Sequence, residues 1–162
     1  MSKVVIIMGS ESDKDFAQKI KKEIVSQSAK VKIVEHVASA HKFPELVLKI
    51  VKKQNASKEN ICYITIAGRS NGLSGVVAAN AVHPVIACPP YSQKFSGADI
   101  YSSLRMPSGV GCTVTIAPEG AAIAAAKIFA LENKELEERV RDYQSSKKRD
   151  VENADETVRK LK

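Results

Sequence analysis

Residues 3–8, KVVIIM, limit what this chain can fold into more than any other stretch. After its lysine the run is wholly apolar, and it stops at Gly9. A strand with one wet face would alternate polar and apolar residues. A continuous run predicts a strand buried on both faces, as in a parallel sheet covered by helices. The pattern then changes period. Phe16, Ala17, Ile20 and Ile24 fall at helical spacing within residues 13–25, with lysines opposite. A buried strand followed by an amphipathic helix is the first half of a strand–helix–strand unit.

The alternation continues. Residues 31–38 predict a second strand. Pro44 suits the first turn of a helix, whose buried stripe is Leu46, Val47, Ile50 and Val51. After the polar stretch 54–60, ICYITIAG predicts a third strand, and a small-residue helix follows near 73–81. VIAC, after His83-Pro84, is the fourth strand and Thr113–Ala117 the fifth. Between them residues 89–111 form a long irregular segment, and loops of that length in compact domains tend to be functional. GAAIAAAKIFAL, apolar almost all round, predicts a buried helix. The expected fold is α/β: a flavodoxin-like, doubly wound parallel sheet in a three-layer αβα sandwich.

At 162 residues the chain suits one domain with a substantial core. The expectation is a single domain over 1–162, in which 132–162 is a polar helical extension. Its apolar positions are sparse: Leu136, Val140, Tyr143, Val151, Val158 and Leu161. Such a helix is marginal alone. It is expected to pack on a neighbouring subunit, with a break near Ser145-Ser146.

No apolar run approaches the ~20 residues that span a bilayer. Charged, helix-like sequence directly follows the first strand, unlike a signal peptide, so a cytoplasmic protein is expected. Cys62, Cys88 and Cys112 show no metal spacing and fit reduced, buried thiols. The net charge of +7 lies wholly before residue 132, because the remainder carries nine basic and nine acidic residues. A basic body suits an anionic small substrate. Nucleic acid is disfavoured, since aromatics are only 5% and no recognition motif is present.

In a doubly wound sheet, ligands bind beyond the carboxyl ends of the strands. Three such ends are polar: Gly9-Ser10-Glu11-Ser12-Asp13, Ser39-Ala40-His41-Lys42 and Gly68-Arg69-Ser70-Asn71-Gly72. The first offers hydroxyls and helix N–H groups to a phosphate or sugar, and Asp13 can accept from ribose. It has neither the GxxxxGK[ST] nor the GxGxxG spacing, so neither a nucleoside triphosphate nor a dinucleotide is indicated. Equally, Ser and Asp there can be simple caps. The second tip sets a histidine and an ammonium side by side; His41 suits acid–base work near neutrality, although an isolated histidine is more often structural. The third fits G-x-S-x-G, a nucleophile elbow with Ser70 as nucleophile. Chain order argues against that: the last histidine is His83, and Asp99 is the plausible acid beyond it.

Taken in order, MGSESD, SAHK, AGRSNGLSG, ACPP, GADIYSSLRMPSG and APEGAAIAAAKIF resemble the PurE family. This family comprises the 5-aminoimidazole ribonucleotide (AIR) carboxylases and the related N5-carboxy-AIR mutases of purine biosynthesis. SAHK and AGRSNGLSG look like the class that carboxylates AIR directly with CO2; the mutase class usually has SAHR and a loop rich in glycine and alanine. The resemblance implies carboxylation at C4 of AIR to give 4-carboxy-AIR, with the mutase on the same scaffold as the alternative. It implies His41 as the proton carrier, Ser10 and Asp13 on the nucleotide, Ser39 and Lys42 at its phosphate end, and Gly68, Arg69 and Ser70 closing the site. It implies no metal and no cofactor, AIR and CO2 as small-molecule partners, and a homo-oligomer, octamer or tetramer.

Overall fold

The computed structural model describes residues 1–28 and 30–161. Five strands, all paired in parallel, form one sheet: β1 (Ser2–Met8), β2 (Lys32–Val37), β3 (Asn60–Ile66), β4 (Val85–Ala87) and β5 (Thr113–Val114). Their order is β2-β1-β3-β4-β5. The chain reverses its direction of travel across the sheet between β1 and β3, which makes their adjoining tips the topological switch point.

The helices are α1 (Lys14–Gln27), α2 (Pro44–Asn55), α3 (Gly72–Asn80), α4 (Tyr101–Leu104), α5 (Pro118–Ala130) and α6 (Lys134–Lys160). The two faces of β1 explain its unbroken apolar run. Val4, Ile6 and Met8 enter one core with Ala17, Ile20 and Ile24 of α1 and Ala121, Ala125 and Phe129 of α5. Val5 and Ile7 enter a second core with Val47, Ile50 and Val51 of α2 and Leu73 and Val77 of α3. Side chains in a strand alternate between faces, so a strand between two helical layers needs an apolar residue at every position. Each such residue contributes about 1.5–3 kcal/mol when fully buried. The expected three-layer αβα sandwich is thus the observed one.

Differences lie mainly at element ends. The fifth strand is only two residues long, Thr113–Val114. The irregular segment 89–111 contains two 3-10 turns, Gln93–Phe95 and Ala98–Ile100, before the short α4. The break expected near Ser145-Ser146 is absent, and α6 runs unbroken for 27 residues. Ion pairs one helical turn apart lie on both sides of those serines: Glu135–Arg139, Glu137–Arg141, Lys147–Asp150, Asp155–Arg159 and Glu156–Lys160. Spaced pairs of this kind each add a few tenths of a kcal/mol to a helix, and serine interrupts one only weakly. Leu136 and Val140 anchor the start of α6 on the body, whereas Val151, Val158 and Leu161 are exposed.

Candidate active site

The strand ladder holds the three polar tips in register. The Gly9 amide donates to the Ile66 carbonyl at 2.8 Å, and the Ala38 amide to the Met8 carbonyl at 2.8 Å. Beyond these bonds each tip turns in its own way. Ser10 caps the 3-10 turn Glu11–Asp13: its Oγ accepts from the Ser12 amide at 3.3 Å, while Asp13 Oδ2 accepts from the Ser10 amide at 3.1 Å. This reciprocal pair is a capping box. Burial raises the Asp13 carboxyl above the usual carboxylate range, opposed by the Ser10 amide and the Arg69 guanidinium. Asp13 can therefore be both a cap and a cleft residue.

The β2 tip closes on Ser39. Its Oγ accepts from the Lys42 amide at 3.2 Å, and its carbonyl from the Phe43 amide at 2.9 Å. That turn leaves His41 and Lys42 exposed side by side. The imidazole lies flush on the first residue of α3: a Cβ built on Gly72 would stand 2.9 Å from His41 Nε2. Glycine at the start of α3 makes room for the ring.

The β3 tip is the tightest. Arg69 is left-handed, with φ +56°. Asn71 caps α3, its Oδ1 accepting from the Ser74 amide at 3.1 Å. Its Nδ2 donates to Ser74 Oγ at 2.8 Å and to Ser103 Oγ at 2.9 Å. Thr65 of β3 joins through Ser74 Oγ at 2.8 Å, so a buried polar chain ties strand, cap and α4 together.

The tips enclose a cleft of about 640 Å³. Ser10, Asp13, Ser39, His41, Lys42, Gly68, Arg69 and Ser70 all line it, so the eight residues singled out in the sequence meet in one place. The volume falls within the range of small-molecule sites. A fourth wall, Pro90 to Gln93 together with Asp99, comes from the segment after β4. Of this wall the sequence signalled an unusually long loop, the ACPP and GADIYSSLRMPSG motifs, and Asp99 only as an acid for the elbow. Ser102 and Ser103, which brace the site with Asn71, carried no signal as single residues.

The nucleophile elbow fails on geometry as well as on chain order. Asp99 accepts from the Arg69 amide at 2.9 Å instead of orienting a histidine, and His83 lies in the turn beyond α3, near Tyr63. The remaining polar groups suit an anionic, hydroxyl-bearing ligand: Lys42 and Arg69 supply positive charge, and Ser10, Ser39, Ser70 and Asp13 supply hydrogen-bonding oxygens. Among the described residues no group of three or more His, Cys, Asp or Glu is arranged to hold a metal.

The sequence model of AIR carboxylase matches residues 3–150. This chain belongs to the AIR carboxylase family. Relatives bear this out. The phosphoribosylaminoimidazole carboxylase of Archaeoglobus fulgidus is 50% identical over 157 residues, which cover 97% of this chain and 85% of that one. The protein of the same name from Treponema denticola is 46% identical, over 88% of this chain and 89% of that one. The crystal structure of Treponema denticola PurE superposes with a TM-score of 0.93 at 42% identity, covering 98% of this chain and 99% of that one. The flavodoxin-like sheet is thus the family's fold, and this family member is an enzyme of purine biosynthesis. No helix among the described residues is long and apolar enough to cross a membrane.

Proposed function

We propose that the enzyme carboxylates AIR at C4 directly with CO2, and that His41 carries the proton. The observation that supports this most is the placement of His41. Its imidazole rests on the start of α3 in a cleft whose walls offer hydroxyls, two carboxylates and two cations. Such a cleft suits a phosphoribosyl group on one side of a base.

The chemistry follows from the substrate. The amino group of AIR makes C4 nucleophilic, as in an enamine. C4 attacks the carbon of CO2, and a C–C bond forms as one C=O π pair moves to oxygen. The adduct holds both hydrogen and carboxylate at C4. His41 takes that proton, the C–H pair restores the aromatic ring, and 4-carboxy-AIR results. In this reading Ser10 and Asp13 hold the ribose side. Ser39 and Lys42 meet the phosphate, while Gly68, Arg69 and Ser70 close over the nucleotide. Holding CO2 beside C4 converts a bimolecular encounter into a positioned one, a large share of the rate. The scheme calls on no cofactor. The reading includes one functional domain, assembled with copies of itself through the α6 arm and working in the cytoplasm.

The second reading is the N5-carboxy-AIR mutase. Lys42 and the Arg69-Ser70-Asn71 turn favour the carboxylase. So do the names of the relatives, among them the bifunctional carboxylase/succinocarboxamide synthetase of Homo sapiens, 41% identical over 131 residues that make up 30% of that protein. Parallel assays decide between the two: AIR with bicarbonate, and N5-carboxy-AIR alone. Formation of 4-carboxy-AIR from AIR and CO2 is expected; turnover of N5-carboxy-AIR only would reverse the assignment.

A further inference from the structure

One wall of the cleft has a backbone that needs outside support. Arg69 takes φ +56°, a region that side-chain-bearing residues rarely adopt. Such conformations persist where the surroundings over-determine them. Here the surroundings are residues 99–103, thirty positions along the chain. Asp99 Oδ2 accepts from the Arg69 amide at 2.9 Å. Ser102 Oγ lies 2.7 Å from the Arg69 carbonyl and 2.8 Å from that of Asp99, so its proton is shared between them. The same oxygen accepts from the Asn71 amide at 3.0 Å. Asp99 and Ser102 therefore grip Arg69 at both its N–H and its C=O.

We propose that Asp99 is a positioning residue for nucleotide binding: by bonding the Arg69 amide it fixes the left-handed turn and so aims the guanidinium into the cleft. Arg69 lines the cleft and acts electrostatically on Asp13 in the adjoining wall. A turn that relaxes to an ordinary φ would swing that side chain and shift Ser70 with it. Asp99 works here as a hydrogen-bond acceptor, not as a charge. An aspartate in a cleft for a phosphorylated ligand would otherwise repel it, and binding its carboxylate to a backbone N–H gives the charge a partner. The inference rests on the AIR reading for its ligand, though not for its geometry.

The test is a double-mutant cycle in the full-length enzyme with AIR as substrate. Asp99→Ala and Arg69→Ala should each raise KM about tenfold and leave kcat within about threefold. The double variant should be no worse than the poorer single, because the two act through one contact. Asp99→Asn keeps an acceptor oxygen and should stay within about threefold of wild type. Multiplying effects in the double variant, or Asn behaving like Ala, would overturn the proposal. A lowered Tm with unchanged KM would also overturn it, as the mark of a purely structural contact. Amide hydrogen exchange at Arg69 in the ligand-free protein gives a readout independent of the reaction. It should speed up in Asp99→Ala and not in Asp99→Asn, and unchanged exchange would defeat the clasp. A wild type that leaves AIR untouched would defeat the assigned reaction instead.

Discussion

His41 illustrates how much a single side chain depends on its seat. Its ring lies against the start of α3, where only the absence of a Cβ on Gly72, a residue of another element, leaves it room. Replacing His41 with Asn removes the proposed proton carrier but keeps a small polar group on that seat. Turnover should fall by about 10²–10⁴, the usual worth of a general acid–base group, while AIR still binds. Single-turnover kinetics with a parallel binding titration checks both halves, and near-normal turnover would assign the proton to another group. His36, on β2, offers a different test. Burial, and then the nearby Lys53, hold its imidazole below the ordinary value of 6.5. The folded state thus binds this proton less readily than the unfolded one. Stability from this group is full above that value and is lost as pH falls through the lowered one. Urea unfolding at pH 7 and pH 5 should show a smaller loss for His36→Gln than for wild type. The thiols stay out of such chemistry: burial pushes Cys62 and Cys88 up to about 12, for Cys88 with help from Glu119.

At the scale of elements, the turn between β3 and α3 is held by a closed set of side chains. Asn71 serves as cap, as donor to Ser74 and as donor to Ser103. Asn71→Ala would leave the buried Ser103 hydroxyl and the Ser74 amide unpaired, while the Ser74 hydroxyl keeps Thr65. Each unsatisfied group costs about 1–3 kcal/mol, so a loss of several kcal/mol is expected by urea denaturation. A loss below about 1 kcal/mol would show that water replaces the amide. This set also marks where sequence reasoning stopped. Strands and helices of the body were legible because each element's period of burial is written locally, as in KVVIIM or Leu46–Val51. The three tips were legible because polar residues clustered where strands end. The bracing by Asp99, Ser102 and Ser103 was not, because their partners sit about thirty residues away and a serine in a one-turn helix shows no period. The uninterrupted α6 was misjudged for the opposite reason: two adjacent serines carried more local weight than the ion pairs beyond them.

For the whole molecule, α6 raises the question of what covers its end. At 27 residues it is about 40 Å long, far more than its two buried anchors Leu136 and Val140 require. Exposed Val151, Val158 and Leu161 are consistent with an arm that reaches a second copy. Removing 145–162 should then lower the mass measured by light scattering while the body keeps its far-UV signature; an unchanged mass would detach the arm from assembly. The strand order has a further consequence, in time. Strand β1 lies inside the sheet and is synthesised before both its neighbours, and its β3 partner ends only at Ile66. At roughly 5–20 residues per second, Val4–Met8 waits several seconds before both its neighbours exist. During that interval a strand destined for burial on both faces keeps an open edge, so the newborn chain is most exposed to wrong pairing before the β3 wall of its cleft exists.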